Sequence, residues 1–264
     1  MRSLAAAVAA LTIAMTNVVA IQNPGTPEWV AQQIEERDTG KDSRAEMRMR
    51  LFDRHGRVRE RVMTLLARRD PVGDKTLVRF TYPNDIKNTA FLVWEHPGAD
   101  DERFLYLPAL GRVRRIAGAE KQESFVGSDL SYEDIGGRDI ADYTYAFTNA
   151  NATWAAADGS KHAAWSLESR AKDPKVDYPR AVSLVRKDNF VVVYADIFNA
   201  RNERAKVFDV KKLERVDGIW TVLSLAVANE REKTRTELDT TSIRYNVGLR
   251  DSDFSRRELE RADR

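Results

Sequence analysis

Arg103-Phe104-Leu105-Tyr106-Leu107 and, further along, Phe190-Val191-Val192-Val193-Tyr194-Ala195-Asp196-Ile197-Phe198 decide the fold. Side chains alternate between the two sides of a strand, so Phe104 and Tyr106 point one way while Leu105 and Leu107 point the other. By the same alternation Phe190, Val192, Tyr194 and Phe198 oppose Val191, Val193 and Ile197. A sheet with one wet face alternates apolar with polar residues. These segments do not, so both of their faces are covered. The cover is either a helix or long loop, the commoner arrangement, or an apolar ligand held in the curve of the sheet.

Working outward, period-2 patterns dominate the chain. Met47, Met49 and Leu51 alternate with Arg48 and Arg50, and Asp53-Arg54-His55-Gly56 reads as a hairpin turn into a strand over 57–67. Further strands are expected over 76–82, 89–95, 103–107, 112–116, 143–148, 162–170, 181–186, 189–198, 205–216, 219–228 and 233–245. Ala157-Asp158-Gly159, Lys187-Asp188-Asn189 and Val216-Asp217-Gly218 are suitable hairpin connections. One helix opens the run: Thr26 can cap it, Pro27 suits its first position, and Trp29, Val30 and Ile34 share a face, with an end near Arg37. The stretch 252–264 reads as a short helix or a frayed tail. So many antiparallel strands imply one wide sheet, and a sheet this wide must curl or close.

The first residues carry an address. Arg2 precedes an apolar run from Leu4 to Val19, broken only by Thr12, Thr16 and Asn17, with small residues at Val18 and Ala20. This is the pattern of a secretion signal cut after Ala20, and the run is shorter than the roughly 20 residues that span a bilayer. The chain has no cysteine, which excludes disulfides, thiol chemistry, thiolate metal sites and an N-terminal lipid anchor. A mature protein of residues 21–264, free in a bacterial periplasm and folded as one domain, is expected. Without Arg2 the charges are 42 basic against 41 acidic (from 43 and 41 in the whole chain). That balance gives no reason to expect nucleic acid.

Chemistry is sparse. His55, His96 and His162 lie in separate segments, and neither a zinc-binding histidine pair nor a nucleophile elbow nor a phosphate-cradling glycine loop occurs. The sequence therefore offers no catalytic residue, metal site or cofactor. Two clusters stand out. Arg112, Arg114 and Arg115 place three cations on one strand, where they could meet an anionic headgroup or an acidic partner, or merely deter pairing at a sheet edge. Asp129, Glu133 and Asp134 could act as acids, bases or cation ligands; turn and capping roles for Ser128, Asp129 and Ser131 suit the local sequence better.

The same residues carry a family resemblance. Asn84-Asp85-Ile86-Lys87-Asn88-Thr89-Ala90-Phe91-Leu92, then Phe104 through Ile116 with Pro108-Ala109-Leu110-Gly111, then Ser124-Phe125-Val126-Gly127-Ser128-Asp129-Leu130-Ser131-Tyr132-Glu133-Asp134 resemble the outer-membrane lipoprotein-sorting protein family, in its LolA-like branch associated with RND/MMPL-type transporters. Trp220, Asn229, Thr234 and Asp253-Phe254-Ser255 fall in the same order. The resemblance implies a mostly β, α+β fold: a strongly curved antiparallel sheet, an incomplete barrel, with helices over its concave face. It implies a non-enzymatic carrier of lipid or lipoprotein acyl chains, with an inner-membrane RND/MMPL transporter as a further partner. On that reading Met47, Met49, Phe91, Val93, Phe104, Tyr106, Val192 and Tyr194 are expected to line the cavity, and Arg112, Arg114 and Arg115 to meet a headgroup or partner.

Overall fold

The computed structural model describes residues 23–137 and 139–261; the expected signal, 1–20, lies outside them. After helix α1 (Pro27–Glu36) come strands β1 (Asp42–Phe52), β2 (Val58–Arg68), β3 (Lys75–Tyr82), β4 (Ala90–Trp94), β5 (Glu102–Leu107) and β6 (Arg112–Ile116). A stretch of short turns and the five-residue helix α2 (Tyr132–Gly136) leads to β7 (Tyr143–Ala155), β8 (Lys161–Ala171), β9 (Arg180–Arg186) and β10 (Val192–Phe198). The chain ends with β11 (Arg204–Val216), β12 (Ile219–Asn229), β13 (Thr234–Tyr245) and helix α3 (Arg256–Leu259). Thr26 caps α1 through its hydroxyl, with Pro27 behind it, as the sequence dictates. Asp217 and Gly218 both take positive φ (52° and 84°), the geometry of the tight hairpin that joins β11 to β12.

The strands form one antiparallel, unclosed sheet in the order β6-β5-β4-β3-β2-β1-β13-β12-β11-β10-β9-β8-β7. Neighbours in sequence are neighbours in space with two exceptions. β1 pairs with β13, welding the two halves together. β6 and β7, consecutive in sequence, occupy opposite edges. Residues 117–142 must therefore run from one edge to the other, and they do so across one face as a strap.

That crossing shows which way the sheet bends. The Phe125 ring packs 5.5 Å from Phe91 on β4, while Asp129 bonds Thr236 on β13 and Lys206 on β11. Strands β4 and β11 are six positions apart, about 29 Å on a flat sheet. Four residues of chain reach at most about 14 Å. The sheet therefore curls around the strap, whose side is the inner, concave face.

The two faces have separate cores. Cross-strand partners share a face, so the pairs Phe91–Leu105 and Leu92–Phe104 sort β4 and β5. Inside, Met49, Met63, Phe80, Phe91, Val93 and Leu105 pack against Phe125 and Tyr132 of the strap. Outside, Leu77, Ala90, Leu92 and Phe104 pack against Phe254 and Leu259. Of the two alternatives for the C-terminal stretch, its described residues take the short helix, α3. Phe254 and Leu259 are fully buried, Trp94 donates its indole N–H to the Phe254 carbonyl at 2.8 Å, and Arg79 reaches the carbonyls of Glu258 and Leu259. Helix α1 lies on the inner face of the other half, with Val30 against Leu167 and Val185. Helices make up only part of the inner cover; between α1 and the sheet's β3–β5 region it is the irregular strap.

Candidate functional site

The strap is fastened at both ends of its short path. Arg61 of β2 donates to the Val126 carbonyl, and Val126 itself has φ +50°, an uncommon conformation for a β-branched residue. Three residues on, the Asp129 carboxylate accepts the hydroxyls of Thr234 and Thr236, the latter at 2.8 Å. The Asp129 N–H donates to Thr236 Oγ1 at 2.9 Å, and its carbonyl takes the Lys206 ammonium at 2.7 Å. Ser131 caps α2 in a reciprocal box with Asp134, which offsets two otherwise orphaned N–H groups. The acidic cluster thus holds the strap in place, which is the turn-and-cap role that its sequence suits.

Beside this latch the inner face is not filled. A pocket of about 270 Å³ opens between the strap residues Leu130 and Asp134, Tyr178 of the β8–β9 loop, and the floor of β8–β12. Small side chains make the hollow: Ser169, Ala181, Ser183 and Ala195 occupy inward positions where larger residues would close it. Val192, Ile197, Phe208 and Val227 supply an apolar wall. Lys206 brings the one cation among the lining residues, only 7% exposed, with the Tyr178 ring 4.5 Å from its Nζ. Burial, then Asp177 and Asp134, push the Tyr178 hydroxyl above its usual pKa.

Two larger clefts are charged. One of about 870 Å³ is bordered by Glu35, Asp74, Glu95, Asp101 and Asp139. There burial, with Asp74, Asp101 and Glu35 around it, pushes Glu95 up to about 7. The other, about 750 Å³, is bordered by Asp38, Asp42, Arg68 and Arg69. Neither suits an acyl chain, because desolvating such groups is costly. The small apolar pocket is the candidate site.

Of the residues expected to line a cavity, Val192 does so. Met49, Phe91 and Val93 face inward but are wholly buried, and Met47 packs beside them, under Phe125 and Tyr132. Phe104 and Tyr106 belong to the opposite face, Phe104 beneath Phe254 and Tyr106 packed at the edge of the same cluster. Tyr194 is also outside: a bulge lies between Val192 and Tyr194, so Val192 opposes Val185 while Tyr194 opposes Leu184. One extra residue flips everything beyond it. Its hydroxyl bonds Asp196 at 2.9 Å. Arg112, Arg114 and Arg115 are exposed on the edge strand β6, but Arg114 opposes Leu105 and Arg115 opposes Phe104. They point to different faces, and Arg114 pairs with Glu120 at 2.9 Å.

Lys206, Ser169, Ser183, Ala181 and Ala195 escaped sequence reading. A lysine in a strand looks like a solvent-facing residue. The usable signal was its register: Lys206 shares a face with Phe208 and Val210, both inward.

The open, curled antiparallel sheet is a fold shared with solved structures. A LolA superfamily protein from Nitrosomonas europaea matches it with a TM-score of 0.67 over 88% of this chain and 99% of its own, at 14% identity. Two structures are closer in sequence. A domain described as an outer membrane lipoprotein-sorting protein, from Vibrio parahaemolyticus, is 28% identical with a TM-score of 0.80, covering 89% of this chain and 98% of that one. A DUF1329 family protein from Desulfovibrio piger is 33% identical, also at 0.80, covering 88% and 97%. A family model described only as an uncharacterized protein matches residues 73–261. The chain belongs to the DUF1329 family. No curated protein matches it.

Proposed function

We propose that this protein is a non-catalytic periplasmic carrier that shelters the acyl chains of a lipid or lipid-modified protein between its curled sheet and the strap. The observation that carries this reading is the apolar pocket beneath Leu130, floored by small residues and distinct from the solid core next to it. An acyl chain costs roughly 0.8 kcal/mol per CH₂ exposed to water, so it crosses an aqueous gap only inside such a shell. The likeness to a lipoprotein-sorting domain supports the same function. The pocket's 270 Å³ falls just under the 300–1,000 Å³ of most ligand sites. Cargo with several chains therefore requires the strap to lift, and release requires a cover with two states close in free energy.

Gentle purification from the cell envelope followed by native mass spectrometry tests the proposal. Lipid adducts are expected. Bare polypeptide that also ignores a fluorescent acyl probe would overturn it. The N-terminus of the same material is expected at Ile21, the residue after a cut at Ala20. A second reading, an accessory to an inner-membrane RND/MMPL transporter, is favoured by the three exposed arginines on the open edge β6. Reversing their charge should then abolish co-purification with the transporter.

A further inference from the structure

Independently of what the pocket holds, we infer that one end of the β1–β6 half docks on an anionic phospholipid surface. Val58, Tyr82 and Leu110 enter the interface, and Arg54, Arg59, Lys87 and Arg112 meet the headgroups. The turns after β1, β3 and β5 share this end, because β1 to β6 are consecutive antiparallel neighbours. Each apolar residue stands past the last pair that links its segment to the next strand. Val58 lies beyond the pair Val62–Tyr82, Tyr82 beyond Arg79–Ala90, and Leu110 beyond Leu107–Arg112. They are 50%, 53% and 56% exposed. From β2 to β5 is three strand spacings, about 14 Å along the sheet, so the three side chains form one rim. Leu110 is held out by its own turn, which Pro108 opens. Gly111 closes it at φ +56°, with its N–H on the Pro108 carbonyl at 3.0 Å.

A single exposed apolar side chain is ordinary; here charge also divides the two ends of the same strands. Arg54, Arg59, Lys87 and Arg112 are all exposed around the rim. Of the carboxylates beside them, Asp53 pairs with Arg57 at 2.6 Å and Glu60 with Arg48 at 3.6 Å, which leaves Asp85. At the opposite end the turns 69–74 and 95–101 carry Asp70, Asp74, Glu95, Asp100 and Asp101 against Arg69. Val72 is exposed there too, but it stands between Asp70 and Asp74. A negative surface therefore attracts the rim and turns the other end away. Spacing favours lipid over a protein. A stable protein interface needs a continuous face of about 800 Å² on each side, whereas these apolar residues stand on three separate segments with cations between them. Such tips reach the boundary of headgroup and acyl chain, a level that suits tyrosine, while the cations stay among the phosphates.

The chain has no cysteine, so Leu110→Cys and Val72→Cys each give the full mature protein one site for an environment-sensitive dye. Vesicles of phosphatidylglycerol mixed with phosphatidylcholine should shift emission at position 110 to the blue and leave position 72 unaltered. Co-sedimentation of the unlabelled protein should favour these vesicles over phosphatidylcholine alone by at least about ten-fold, and added salt should shrink that preference. Tyr82→Ser with Leu110→Ser should weaken binding at least about five-fold, and Arg59→Glu with Lys87→Glu should abolish the preference. All four side chains are exposed, so urea unfolding should stay the same, and acyl-probe uptake reports on the pocket separately. Equal binding to both kinds of vesicle, or a dye shift as large at 72 as at 110, overturns the inference. So does a protein that ignores vesicles altogether; crosslinking of the rim to an acidic protein would then assign it to a protein partner.

Discussion

Lys206 on β11 donates its ammonium to the backbone carbonyl of Asp129 at 2.7 Å, so a strand in the middle of the sheet holds the segment that joins its two edges. The contact ties the pocket's only lining cation to the strap that covers it. Strap and pocket are consequently one mechanical unit.

Removing the latch should loosen the strap and spare the sheet. Asp129→Ala leaves the Thr236 hydroxyl, which is fully buried, without its acceptor, at a cost of about 1–3 kcal/mol. Hydrogen exchange is expected to accelerate over residues 124–136 alone. Uniform acceleration across β1–β13 would show that the strap has no independent motion.

Phe125→Ala and Phe254→Ala compare the two faces. Both rings are fully buried, and each truncation should destabilise by about 3–5 kcal/mol in urea unfolding. Phe125→Ala empties space on the inner face and should increase uptake of a fluorescent acyl probe. Phe254→Ala opens only the outer face, and uptake should not change.

The placement of the site is tested by small additions. Ser183→Leu and Ala195→Leu fill the trough and should lower acyl uptake at least ten-fold. Tyr106→Phe and Tyr194→Phe, on the outer face, should leave it unaltered. Equal losses in both sets would place the ligand elsewhere.

Glu95 predicts a pH dependence. Its pKa rises from an ordinary 4.5 to about 7, so between those values the native protein binds more protons than the unfolded chain. Stability then falls as pH rises through that window and levels off above it. Glu35, also raised by burial and by Asp139, adds to the same trend. Glu95→Gln should reduce the difference between urea midpoints at about pH 5 and about pH 8, with its gain appearing at the higher pH.

Strands and turns were readable locally because backbone sterics and alternation act over a few residues. Arg112–Ile116 begins and ends where the sequence placed it, and the Asp217-Gly218 hairpin follows from positive φ that aspartate and glycine tolerate. The covered faces of 103–107 were equally legible: Leu105 lies under Phe125 and Phe104 under Phe254. Which covering segment served which face was not. The bulge at Val193 also defeated the alternation of 190–198, since nothing in a run of valines marks where the register slips.

By itself the sequence determined that this is a wide antiparallel sheet that must curl or close, with both faces of β5 occupied, because hydrophobic period and turn chemistry are local properties. Only the tertiary structure decided that β6 and β7 sit at opposite edges, that residues 117–142 are thereby forced across the concave face, and that Lys206 meets Asp129 over a hollow floored by alanine and serine. Empty space and long-range contacts depend on strand order, which no short stretch of chain encodes.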